Sequence, residues 1–132
     1  MKVAKIGDDA TYIGLSAFKD DTALTLVDRL SAGQDPSTIK FNVVEDYAFA
    51  NTRLQHVDLA LRSSSIYTWW GDYCFAYNPN LTSISFLPSC ATYMSKGMFK
   101  DCINLKQVTY YNNMMGWIYP GVFENCSSLT SI

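Results

Sequence analysis

The sequence predicts a β-rich solenoid: a right-handed coil of the α/β type, with short strands and 3₁₀ turns, in about five repeats of 24–31 residues. Three observations predict it. Phe18, Phe49, Phe75, Phe99 and Phe123 recur at intervals of 31, 26, 24 and 24 residues. Each lies in the same frame, with an apolar residue five positions before it (Ile13, Val44, Trp70, Met94, Ile118) and a small or apolar residue directly before it (Ala17, Ala48, Cys74, Met98, Val122). A leucine follows each phenylalanine by five or six positions (Leu24, Leu54, Leu81, Leu105, Leu129), and a β-branched residue follows the leucine by three (Val27, Val57, Ile84, Val108, Ile132). Self-similarity at periods of this size is the signature of stacked supersecondary units.

Within a unit, the first element is the run Leu-x-x-(Val/Ile)-x-(Leu/Phe/Tyr), as in 54–59 and 81–86. Its alternation predicts a strand with Val57 and Leu59 inward and His56 and Asp58 outward. Turn residues follow, such as Ser63-Ser64-Ser65, Pro88-Ser89 and Asn112-Asn113. A second short strand ends five residues before the phenylalanine. The phenylalanine itself opens a segment too short for an α-helix and suited to a 3₁₀ turn. Three residues later stand Asp21, Thr52, Asn78, Cys102 and Cys126, small side chains able to bond a turning backbone. One unit cannot bury its apolar side, whereas stacking at the ~4.8 Å strand spacing gives a continuous core. The first interval is long, so Ser31–Thr38 is expected to protrude as a loop.

Composition narrows the function classes. Ten Lys+Arg against twelve Asp+Glu give a net charge of -2, so no basic footprint marks nucleic-acid binding. No apolar run is long enough to span a bilayer, and residues 1–9 lack the apolar core of a signal peptide. Cys74, Cys90, Cys102 and Cys126 include no Cys-x-x-Cys pair and read as free thiols. The single histidine, His56, excludes a multi-histidine metal site. No metal site, cofactor or catalytic residue is expected. Residues 1–132 form one domain that starts and stops at the same phase of the repeat, as expected of a fragment of a longer array.

These columns resemble the BspA-like, or Treponema pallidum type, leucine-rich repeats. The matching segments are 13–18, 44–49, 97–105 (Gly-Met-Phe-Lys-Asp-Cys-Ile-Asn-Leu) and 122–129 (Val-Phe-Glu-Asn-Cys-Ser-Ser-Leu). The resemblance covers nearly the whole chain and implies a leucine-rich-repeat solenoid. It also implies a cell-surface or secreted protein of bacterial type, or one from a microbial eukaryote, used in adhesion or in binding host proteins.

The residue before each inward apolar position should face out. That column reads Tyr12, Val43, Trp69, Tyr93 and Trp117, with Tyr119 beside it in the flanking column Gly14, Glu45, Gly71, Ser95, Tyr119. An exposed aromatic row of this size marks a binding face for a protein or a glycan. Two other readings stay open: a ladder that only stabilises the sheet, and a strand phase displaced by one residue, which would turn the row inward. The other outward column (Gln55, His56, Asp58, Ser83, Ser85, Gln107, Thr109) is small and polar, and His56 beside Asp58 reads as an ordinary exposed pair, not as an enzyme's base. The expected role is a non-enzymatic binding module. Its alternative is a structural spacer that associates end to end or packs on neighbouring domains.

Overall fold

The computed structural model describes residues 2–7, 12–29, 38–40, 43–60, 69–86, 93–110 and 117–130. In chain order the strands are β1 (Lys2–Ile6), β2 (Tyr12–Ile13), β3 (Leu24–Arg29), β4 (Thr38–Lys40), β5 (Val43–Val44), β6 (His56–Ala60), β7 (Trp69–Trp70), β8 (Ser83–Phe86), β9 (Tyr93–Met94), β10 (Gln107–Tyr110) and β11 (Trp117–Ile118). All pairings are parallel, and no helix occurs among the described residues. The longer strands build a wall in the order β10-β8-β6-β4, with β1 and β3 as a separate pair. The two-residue strands build the sheets β2-β5-β7 and β11-β9. Each repeat thus lays one rung over the next, with matching columns in register: Val57 on Ile84 on Val108, and Ile13 on Val44 on Trp70.

The phenylalanines form one interior column. Successive ring centroids lie 5.2, 5.5, 5.8 and 6.0 Å apart from Phe18 to Phe123, and adjacent rings are within 16° of parallel. Phe49, Phe75 and Phe99 are wholly buried, and Phe18 and Phe123 partly so. Leu24, Leu54, Leu81 and Leu105 pack in the same core, as do Val27, Val57, Ile84 and Val108.

The segment around each phenylalanine is not the expected 3₁₀ turn. A 3₁₀ run needs consecutive residues with negative φ. Here the positions two before and two after each phenylalanine have positive φ: Ser16, Tyr47, Tyr73, Gly97 and Gly121 before, and Asp20, Asn51, Tyr77, Asp101 and Asn125 after, all between 54° and 73°. These left-handed residues turn alternate peptides along the stack. The N–H groups of Tyr73, Phe75 and Tyr77 donate to the carbonyls of Lys96, Met98 and Lys100 on the next rung, at 2.9, 3.1 and 2.7 Å. The same three bonds recur at the other steps, for example from Tyr47, Phe49 and Asn51 to Asp72, Cys74 and Ala76. The amides between them close tight turns on their own rung, as Ala76 does to Tyr73 at 3.1 Å. Much of the backbone of the segment between the two walls is thereby engaged without helix or sheet.

The second correction concerns the long interval. Residues 31–37 of the expected loop lie outside the described residues, but Thr38 opens β4, which pairs with β6 through Thr38–Asp58, Ile39–Leu59 and Lys40–Ala60. The added residues thus supply a further parallel strand. It takes the place beside β6 that β3 would have held, while β3 pairs with β1 on its other side. The start of β3 stays on its rung through Arg53 N–H donating to the Leu24 carbonyl at 2.8 Å.

Truncating a central ring removes two stacking neighbours and leaves a cavity. Phe75→Ala is expected to lower unfolding stability by about 3–5 kcal/mol, read from urea titration, whereas Phe18→Ala, half-buried at the first rung, should cost clearly less.

Candidate functional site

The phase of the short strands is as read from the sequence. Ile13, Val44, Trp70 and Met94 are buried, and Tyr12 is 54% exposed. Tyr12 stands in register with Val43 and Trp69, and Tyr93 with Trp117. The backbones of Trp69, Tyr93 and Trp117 therefore hold the expected column positions, while their side chains lie outside the described residues. The row falls into two blocks, because β7 and β9 belong to different sheets. Tyr12 donates to the Glu45 carboxylate; this hydrogen bond, with lesser help from desolvation and the carboxylate's charge, raises the phenol above its ordinary range. Glu45 also accepts the Leu15 N–H at 2.8 Å.

Tyr119 is 49% exposed, but its column is not a continuous surface. Gly71 and Ser95 in that column are buried. A Cβ on Gly71 would stand 2.2 Å from the Glu45 carbonyl carbon, so only glycine allows this close approach of two rungs. Ser95 Oγ then donates to the Gly71 carbonyl at 2.7 Å. Ile118, inward in the column, is 57% exposed on the fifth rung.

A second aromatic feature escapes sequence reading. Tyr47 and Tyr73 stack at 5.1 Å with 14° between planes, and the Lys19 ammonium lies 5.1 Å from the Tyr47 ring centroid, within cation–π range. Gly97 continues this column; a Cβ there would come within 2.3 Å of the Tyr73 ring. The signal was the column two before phenylalanine, whose positive φ residue types do not announce.

The long-strand wall carries polar residues in register: His56, Ser83 and Gln107 on one line, and Asp58, Ser85 and Thr109 on the next. His56 is not merely paired with Asp58. Its Nε2 lies 2.7 Å from Asp58 Oδ1, and its Nδ1 lies 2.5 Å from Ser83 Oγ. Ser83 is 27 positions along the chain from His56, so only the register brings it in. Beside this line runs an open groove of about 320 Å³, lined by Gln55, Pro79, Asn80, Thr82, Asn104 and Lys106.

Behind the surface, the column three after phenylalanine is a buried polar ladder. Asn78 Nδ2 donates to the Phe49 and Phe75 carbonyls at 3.0 and 2.7 Å, while its Oδ1 accepts from the Thr52 N–H and hydroxyl at 2.9 and 2.6 Å. Cys102 Sγ donates to the Phe75 carbonyl at 3.3 Å and Cys126 Sγ to the Phe99 carbonyl at 3.1 Å. Cysteine at this position is thus a compact donor to the rung beneath. Cys74, Cys102 and Cys126 are free thiols, and Cys90 lies outside the described residues. Burial pushes Cys102 up to about 12 and raises Cys74 and Cys126 as well. No cluster of three His, Cys, Asp or Glu fit to hold a metal occurs among the described residues, and no helix long and apolar enough to cross a membrane occurs among them.

Of these thiols, Cys74 and Cys102 are buried and neutral at pH 7. Iodoacetamide at that pH should leave Cys74 and Cys102 unmodified in the folded protein and alkylate both in urea, as read by peptide mass mapping. The unfolded Cys102 thiol ionises near 9 and the folded one near 12, so its contribution to stability is full below pH 9 and lost as pH rises toward 12. Cys102→Ser, whose hydroxyl does not ionise in this range, should show a shallower loss over that window.

The family model for the BspA type leucine rich repeat region matches residues 1–130 in six copies, and the chain belongs to that family. The six copies compare with five phenylalanine-bearing units counted in the sequence. No curated protein and no solved structure matches the chain.

Proposed function

We propose that this BspA-type leucine-rich-repeat chain is a binding and adhesion module of a surface or secreted protein, and that it takes a protein or glycan ligand on the aromatic row. The observation that carries the reading is the strand phase. Ile13, Val44, Trp70 and Met94 are buried, so the preceding positions (Tyr12, Val43, Trp69, Tyr93) occupy the other face, where Tyr12 is exposed. Tyr and Trp present large, rigid contact areas with one polar edge, which suits both sugar rings and protein anchors. Tyr119 and Trp117 extend the row onto the fifth rung. The family's frequent use at surfaces supports the location.

A glycan and protein array probed with the wild-type chain identifies the ligand class. The Trp69→Ser/Trp117→Ser double variant should lose at least ~1.4–2 kcal/mol of binding, tenfold or more, with an unchanged urea midpoint. A folded double variant that keeps all binding overturns the reading.

The exposed Ile118 and half-buried Phe123 favour a second reading, in which the fifth rung packs on a neighbouring domain or copy. Size-exclusion chromatography would then show an apparent mass that rises with concentration and falls in Ile118→Lys; a constant monomer mass excludes self-association.

A further inference from the structure

The long-strand wall holds a Ser–His–Asp arrangement that neither the family nor the binding role assigns. His56 sits at the start of β6 and Asp58 two residues on, so both side chains share one face. An ionised carboxylate only accepts, so the 2.7 Å contact to Asp58 makes His56 Nε2 the N–H donor. In neutral imidazole the other nitrogen is then an acceptor. That acceptor, Nδ1, lies 2.5 Å from the hydroxyl oxygen of Ser83, in register on β8. The hydroxyl has a base, and the base has a carboxylate that orients it. These are the relations that define an activated serine, recognised by roles and geometry and not by chain order. The two ring nitrogens exchange their usual tasks, which leaves the proton path unchanged.

Three further features fit a reaction site. His56 keeps 38% of its side chain exposed, so a substrate can reach it. Gln107, in register with Ser83 on β10, carries an exposed carboxamide whose N–H can serve an oxyanion formed on that line. The 320 Å³ groove is lined by Gln55 and Thr82, the residues immediately before His56 and Ser83, and by Lys106, immediately before Gln107. Its amide, hydroxyl and ammonium groups suit a hydroxyl-rich or anionic ligand.

We propose that Ser83 is a nucleophile activated by His56, and that this face cleaves an ester carried by a polar ligand lying in the groove. Ser83 Oγ attacks the ester carbonyl carbon while its proton passes to His56 Nδ1. The tetrahedral species collapses by breaking the carbon–oxygen bond to the alcohol, which leaves with the proton from His56. Water, deprotonated by His56, then releases the acyl group as a carboxylic acid and restores Ser83. Asp58 is a positioning residue that acts through the imidazole.

The test is labelling of the whole chain with a fluorophosphonate, in which serine oxygen displaces fluoride at phosphorus, followed by peptide mass mapping. Ser85 is the internal control: it lies on the same strand and face, is also half-buried, and has Asp58 and Thr109 as register neighbours instead of His56 and Gln107. Ser83 should carry the label and Ser85 should not. His56→Gln should slow labelling by at least about 100-fold, the usual contribution of a general base, with an unchanged urea midpoint. Asp58→Asn should slow it less, and Asp58→Glu should recover part of the rate. Hydrolysis of p-nitrophenyl acetate should follow the same order and vanish in Ser83→Ala. Equal labelling of Ser83 and Ser85 in the wild-type chain, or no labelling of either, overturns the proposal without reliance on any variant's folding. Labelling of Ser83 is read with no ligand on the aromatic row, so failure of the aromatic-row reading and failure of this one are separable.

Discussion

Alternate peptides in each phenylalanine-bearing segment point along the stack, and the rest of the molecule depends on this. The left-handed residues on either side of the ring, such as Tyr73 and Tyr77 around Phe75, set the direction of the intervening amides. Each rung then bonds the next through three N–H groups, and this holds successive rungs a strand spacing apart. At that spacing the rings stack at 5.2–6.0 Å with nearly parallel planes. The stack also places Asn78, Cys102 and Cys126 within reach of the carbonyl of the preceding phenylalanine. Left-handed backbone at Tyr47, Tyr73 and Tyr77 is unfavourable for such side chains, of order 1 kcal/mol each. It persists because the rung bonds and the buried ring on either side determine it.

Much of this was legible in the residues. Five phenylalanines in one frame locate the core column, and the alternation Val57, Leu59 against His56, Asp58 locates the outward face. The phase of the two-residue strands was readable too, since Ile13, Val44, Trp70 and Met94 share a column. The turn conformation was not. Asp20, Asn51, Asp101 and Asn125 are types that tolerate positive φ, but Tyr77 in the same column is not, and Ser16, Tyr47 and Tyr73 conceal the other column. Strand β4 was also hidden, because Thr-Ile-Lys is too short to separate from the turn residues before it. The burial of Gly71 follows from the approach of Glu45's backbone, a contact that no local pattern records.

The two exposed walls differ in chemistry because they differ in length. The short strands offer one position per rung beside the buried column, and among the described side chains Tyr12 there is exposed and Val43 half-buried. The longer strands offer two, and these carry polar groups, of which His56 and Ser83 bond across rungs. A residue on the long wall therefore has its chemistry set by partners one rung away. His56 illustrates it: its neighbour in sequence is Asp58, but its second nitrogen meets Ser83. The hydroxyls of Thr25, Thr82 and Thr130 show the same rule at the strand starts, donating to the carbonyls of Lys2, Gln55 and Lys106 on the preceding rung at 3.4, 3.2 and 3.0 Å. Changes of one side chain on this wall should accordingly be judged with the rungs on both sides of it.

The stacking order of the rings is the most direct test of the whole account. Nuclear Overhauser contacts between phenylalanine rings, measured on a sample with only those rings protonated, should link Phe18 to Phe49, Phe49 to Phe75, Phe75 to Phe99 and Phe99 to Phe123, with none between rings two rungs apart. The edge contact of Phe86 with Phe99, at 6.3 Å between centroids, should appear as a branch from that series. Contacts that skip a rung, or the absence of a link between any two neighbours, would contradict the stacked-rung arrangement and both surfaces that it builds.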